Sequence, residues 1–206
     1  MCYSAEVSLG TFATVTAISM YLWSRDRRGI ALLLFIIGFM QLLEYILWIN
    51  PTCNDTNKAV TALIPIYLYL QPAAIAAAVW STNAGTGTFY PWIILISLIG
   101  LIPYVNMDRK SNRKPCINKG ECGHLDWNIL DNILNKKLEL YEYVIYAAYY
   151  GVMAYVIGTL KNTTLSAIML VLYVVSWLVT NTMYNDVWGS VWCHSVNAAA
   201  VAAIFI

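Results

Sequence analysis

The chain has 206 residues, of which 60% are hydrophobic and 11% charged, with a mean hydropathy of +0.61. A soluble domain usually carries about 25% charged residues, so this composition excludes one. Twelve Lys and Arg against eleven Asp and Glu leave a formal net charge of +1, which argues against both a nucleic-acid-binding surface and a funnel for acidic substrates.

Apolar runs near the length of a bilayer crossing fall at 7–23, 30–49, 59–80, 89–105, 141–160, 165–184 and 187–206. They predict an all-α, polytopic membrane protein: a seven-transmembrane-helix bundle that uses the whole chain as one domain. The runs lack the apolar/polar alternation of a lipid-facing barrel and are about twice the length of a barrel strand. The first span is expected to be retained, since no basic segment precedes it and Arg25, Arg27 and Arg28 follow it. Trp23, Trp48, Trp80, Trp92 and Trp188 fall at span ends, where an amphipathic ring suits the headgroup level. Pro51 stops the second helix, Gly85 and Gly87 mark the third loop, and Pro91 sits in the first turn of the fourth helix.

One connection is long. Residues 106–140 carry seven of the twelve basic residues, two of the five cysteines and one of the two histidines, and are expected to form an extramembrane module. Cys116 to Cys122 reads as a tight hairpin turned at Lys119-Gly120, bringing the two sulfurs near each other as a candidate disulfide. Trp127, Leu130, Ile133, Leu134 and Leu138 follow at helical spacing, as in a helix lying on the bilayer or a connector packed on the bundle.

Seven spans put the N-terminus, the 50–58 loop, the long loop and the 185–186 turn on one side, here side A, and the remaining loops on side B. Side A holds eight basic residues and side B four, which by raw count places side A in the cytoplasm; the short loops alone say the opposite. Cys53, Cys116 and Cys122 suit an oxidising compartment, and Asn54-Asp55-Thr56 is a glycosylation sequon, so side A is read as outside.

Within the spans the one ionisable residue well inside is Glu44, one turn from Gln41 and about 8 Å below Ile49 at a rise of about 1.5 Å per residue. Cys2 and Ser4 open the first helix at the same side, Cys193, His194 and Asn197 occupy the side A half of the last, and His124 hangs from the long loop. Four readings of this convergence stay open. Cys2, Glu44, His124 and Cys193 are ligand types for zinc, without zinc-finger spacing. Cys2 or Cys193 activated by His124 or His194 has the residue types of thiol catalysis on a lipid or small apolar substrate. Glu44 in a water-filled vestibule suits transport or sensing of an ion or small solute. Mutual satisfaction of polar groups between helices suits a structural scaffold.

Further in, Tyr67 and Gln71 lie four apart between Pro65 and Pro72, whose interruptions of the backbone ladder can bend a helix and open a pocket. Tyr143, Tyr146 and Tyr150 form one aromatic stripe, and Trp177, Asn181 and Tyr184 another. Retinal is not expected, because the last span has no lysine for a Schiff base. Haem is not expected either, since paired histidines on facing spans are missing. No phosphate-binding glycine loop and no HExxH occur. The partners implied are the lipid bilayer and an ion or small-molecule ligand.

Met1-Cys2-Tyr3-Ser4-Ala5-Glu6, Gln41 with Glu44, Gly123-His124-Leu125-Asp126-Trp127 and Ser190-Val191-Trp192-Cys193 occur in this order along the chain. Together they resemble a family of multi-pass membrane proteins of bacteria and large DNA viruses that begins with an MCxSA-type motif and ends with SxWC. The resemblance implies a shared architecture and a set of suspect residues, and no biochemical activity. The Cys116 to Cys122 hairpin lies outside the resembling pattern.

Overall fold

A computed structural model describes residues 4–110, 115–119, 125–126, 140–183 and 196–205. Among the described residues seven helices form: α1 (Ala5–Ser24), α2 (Arg28–Ile49), α3 (Asp55–Ser81), α4 (Tyr90–Lys110), α5 (Leu140–Gly158), α6 (Thr163–Met183) and α7 (Val196–Phe205). A two-residue antiparallel ladder, β1 (Asn118–Lys119) with β2 (Leu125–Asp126), lies between α4 and α5. The protein is thus helical, and α1, α2 and α3 are long and apolar enough to cross a membrane. The apolar stretches Tyr90–Asn106, Ala147–Gly158 and Thr163–Val179 are shorter.

The helix ends follow local chemistry. Ser4 caps α1 by accepting from Val7 N–H at 3.4 Å, and Asn54 caps α3 by accepting from Asn57 N–H at 2.8 Å. Asp26 and Asn83 take the left-handed conformation, at φ 60° and 54°, in the turns after α1 and α3, where these two residue types are tolerated. α3 continues unbroken through both Pro65 and Pro72, and the hydroxyl of Tyr104 on α4 donates to the Pro65 carbonyl at 3.1 Å. α4 runs on to Lys110, so the first residues assigned to the long connection extend the fourth helix instead. The last predicted span, 187–206, is helix over Val196–Phe205; the rest of it lies outside the described residues.

α2 is the hub. It packs against α1, α3, α7 and β2, and its buried residues run its full length from Gly29 to Trp48. The α1 crossing is tight because Gly38 has no side chain: a Cβ there would lie 2.7 Å from Val15 Cγ1. α1 presents Ser8, Thr11, Val15, Ser19 and Leu22 to this interface, a stripe of mostly small residues at helical spacing. The main core gathers Val15, Leu22, Leu33, Leu34, Ile75, Val79, Val156, Leu165 and Ala203 from six helices. Tyr150 packs edge-on against Trp177 at 5.7 Å between α5 and α6, so the described part of the two aromatic stripes is helix packing. The side chains of Tyr143, Tyr146, Asn181 and Tyr184 lie outside the described residues.

Each end of the bundle is fastened. At side B, Gly85 bridges to Leu160, Thr86 N–H donates to the Thr159 carbonyl at 2.8 Å, and Tyr90 and Thr159 share a hydroxyl bond at 2.7 Å. Arg27 Nη1 donates to the Ala203 carbonyl at 2.7 Å, a cation placed at the C-terminal end of α7 where unpaired carbonyls attract it.

At side A a disulfide joins Cys53, in the loop before α3, to Cys116, with the Cα atoms 5.6 Å apart. The expected pairing of Cys116 with Cys122 is therefore corrected: Cys116 is already bound to Cys53. The hairpin is also longer than expected. Lys119 pairs with Leu125, so the connection spans 120–124 rather than turning at Lys119-Gly120. The cap is held by Asn57, which is fully buried. Its Nδ2 donates to the carbonyls of Asn50 at 2.8 Å and Ile117 at 3.0 Å, and its Oδ1 accepts from Ile117 N–H at 3.1 Å. A side-chain amide thereby serves Ile117 as a neighbouring strand would. Ile117 and Leu125 then pack with Met40, Leu43, Leu47, Trp48, Val60 and Ile64.

Candidate functional site

Glu44 and Gln41 are each completely buried on α2, in a helix long and apolar enough for a bilayer. Burial of a carboxyl and an amide in such surroundings carries a desolvation cost of several kcal/mol for a charge and about 1–3 kcal/mol for an amide. The neighbourhood is fixed by two contacts that bracket it. Toward side B, Val15 of α1 meets Gly38 of α2. Toward side A, Ala5 of α1 packs into the cluster that contains Leu47 and Trp48. In an antiparallel pair the intervening turns must match, so Thr11 is level with Gln41 and Ser8 with Glu44.

The last helix joins at the same level. Asn197, in the first turn of α7, donates from Nδ2 to Thr11 Oγ1 at 3.0 Å. Buried side-chain atoms with no hydrogen-bond partner among the described residues concentrate here: Ser8 Oγ, both Gln41 amide atoms and Asn197 Oδ1. Thr16 Oγ1 and Ser19 Oγ, further along α1 toward side B, share this condition. The roof is apolar. Trp48, at the end of α2 as expected, is 8% exposed and packs with Ile117 and Leu125. Trp23, Trp80 and Trp92, also near helix ends, are at least half exposed.

A second polar seam lies deeper. The Ile36 carbonyl accepts from the Tyr67 hydroxyl and from Gln71 Nε2, the latter at 3.4 Å, and Tyr149 donates to Gln71 Oε1 at 2.6 Å. Tyr67 and Gln71, grouped by their spacing between the two prolines, thus meet one α2 carbonyl. Every Gln71 amide atom is engaged, so this seam ties α2, α3 and α5 together.

Of the residues singled out in the sequence, Gln41 and Glu44 are brought to one buried site. Ser4 is not part of it: its hydroxyl caps α1 and donates to Glu6 Oε2 at 2.5 Å at the exposed helix start. Cys2, His124, Cys193 and His194 lie outside the described residues, as does Cys122. Of the metal-ligand candidates only Glu44 is described, and among the described residues no group of three or more His, Cys, Asp or Glu stands together. Ser8, Thr11 and Asn57 were missed as site or scaffold residues. The available signal for the first two was the helical spacing of small hydroxyl residues along the first span.

No protein-family profile, curated protein or solved structure matches the chain.

Proposed function

We propose that this is a seven-span integral membrane protein whose Glu44-centred site, near one membrane face, serves transport or sensing of a cation or small solute. The observation that carries the reading is the complete burial of Glu44 beside an equally buried Gln41 whose amide has no partner among the described residues. Helix packing alone is served better by apolar side chains, whereas a buried ionisable group in a membrane helix marks an ion or solute path. α1, α2 and α3 support membrane residence, and the alternating ends of α4 to α7 are compatible with four further crossings.

In sealed liposomes, Glu44→Gln is expected to abolish flux of the transported cation or solute, or the response to pH, while the purified protein keeps its helical content. Flux and pH response equal to those of the parent overturn the reading.

We also place side A outside. The Cys53–Cys116 disulfide supports this, because such bonds persist in oxidising compartments. A membrane-impermeant amine reagent added to intact cells is expected to label Lys58 and to spare Lys161 until the membrane is opened; both are exposed. The reverse pattern inverts the topology.

A further inference from the structure

The side B surface carries a charge that neither helix packing nor the Glu44 site uses. Its three loops, 24–29, 81–88 and 161–164, hold Arg25, Arg27, Arg28 and Lys161 against a single acid, Asp26. Arg27 is engaged with the Ala203 carbonyl, whereas Arg25, Arg28 and Lys161 are exposed. The fold draws these loops together. A Cβ on Gly29 would lie 2.3 Å from Ala84 Cβ, and the Ala84 carbonyl accepts from Lys161 N–H at 2.9 Å. Arg28, next to Gly29, and Lys161 are thus joined across the single residue Ala84, with their backbones no more than about 14 Å apart at ordinary bond lengths. Two long side chains from these positions can close on one small anion. Arg28 is also oriented: Asp26 Oδ1 lies 3.1 Å from its Nε, and its guanidinium stands 5.7 Å from the centre of the Trp23 ring. The Arg28 side chain stays 57% exposed. An ion pair this open to water is weak, and one carboxylate cannot occupy all five guanidinium donors.

We infer that side B docks the headgroup of an anionic phospholipid, its phosphate held between Arg28 and Lys161 with Arg25 beside them. Depth favours a lipid over a free anion. Among the described residues the exposed tryptophans are Trp23, Trp80 and Trp92, at the side B ends of α1, α3 and α4. Indole rings settle at the headgroup level of a bilayer, so the loops just beyond them meet the lipid phosphates. Residue type favours phosphate, since three of the four cations are arginines, whose planar fork matches its oxygens. Net charge favours an anionic lipid over a zwitterionic one, which brings a cation of its own to a surface already carrying three more positive side chains than negative. With side A outside, side B meets the cytoplasmic leaflet, where anionic lipids gather. The inference rests on membrane residence and makes no use of Glu44.

The full-length protein in a neutral detergent is melted with increasing short-chain phosphatidylglycerol, with phosphatidylcholine of the same chains, or with inorganic phosphate, all at one ionic strength. Phosphatidylglycerol is expected to raise the melting temperature saturably, because a ligand that binds only the folded state stabilises it by mass action, while phosphatidylcholine and phosphate are inert. Arg28→Gln and Lys161→Gln are each expected to raise the half-saturating lipid concentration about fivefold, equivalent to about 1 kcal/mol. Lys58→Gln, which removes an exposed cation of side A, is expected to leave it unchanged. Arg27 is kept, since its bond to Ala203 fastens α7. A half-saturating concentration identical in Arg28→Gln, Lys161→Gln and the parent overturns the site. Equal shifts from the two lipids, or an equal shift from phosphate, overturn the assignment to an anionic headgroup, and no shift at all overturns the inference. None of these outcomes touches Glu44-dependent flux, which the liposome experiment decides separately.

Discussion

Gln41→Leu is expected to melt higher than the parent. The parent buries an amide whose nitrogen and oxygen both lack partners among the described residues, and each such group costs about 1–3 kcal/mol. Leucine has a similar volume and no polar atoms, so it removes that cost without opening a large cavity. At about 2–4 °C per kcal/mol for a chain of this size, the gain is on the order of 5 °C. A residue kept for packing gives a lower melting point instead. Differential scanning fluorimetry of the variant beside the parent separates the two cases. The trade fits the general pattern in which a binding site holds groups that fold stability alone would remove.

Asn57→Ala is expected to be the most damaging single change in the described side A cap, at about 3–5 kcal/mol. The alanine leaves the Ile117 carbonyl without the amide that it accepts from, removes one of two acceptors for Ile117 N–H, and strips the Asn50 carbonyl of its donor. Ile117 is 1% exposed, so water cannot replace these bonds cheaply. Asn57→Asp keeps the acceptor but turns a carboxyl oxygen toward the Asn50 and Ile117 carbonyls in a buried site, and is expected to be no more stable than the alanine variant. Thermal unfolding of the three proteins checks the order. A melting point for Asn57→Ala within a degree of the parent removes Asn57 from its role as keystone of the cap.

The helices were legible because apolar runs of membrane length, bounded by Pro51, Gly85 and Trp rings, leave few alternatives to a helix. Even the boundary errors have a local cause: polar residues at Asp55 to Lys58 begin α3 early because Asn54 caps it, and a hydropathy window cannot see a cap. Gln41 and Glu44 were legible because charge and amide groups stand out in an apolar run. The disulfide was not, since Cys53 and Cys116 are 63 positions apart and their proximity depends on how α3 and α4 return the chain to side A. The burial of Trp48 was not legible for a related reason: its cover, Ile117 and Leu125, comes from a remote connection. Ser4 read as a site residue because it sits beside Cys2; three-residue spacing to the Val7 amide favours a cap at least as well.

The Cys53–Cys116 link also constrains how the protein is made. As the chain emerges from the ribosome, Cys53 waits as a free thiol until α3 and α4, which separate it from its partner, have been made and turned back. The side A cap is consequently fastened only after those two helices are in place, and a cysteine left alone that long is exposed to wrong partners. Overexpression in a host whose thiol-oxidising machinery is saturated should accumulate chains crosslinked through residue 53, with the cap left unfastened.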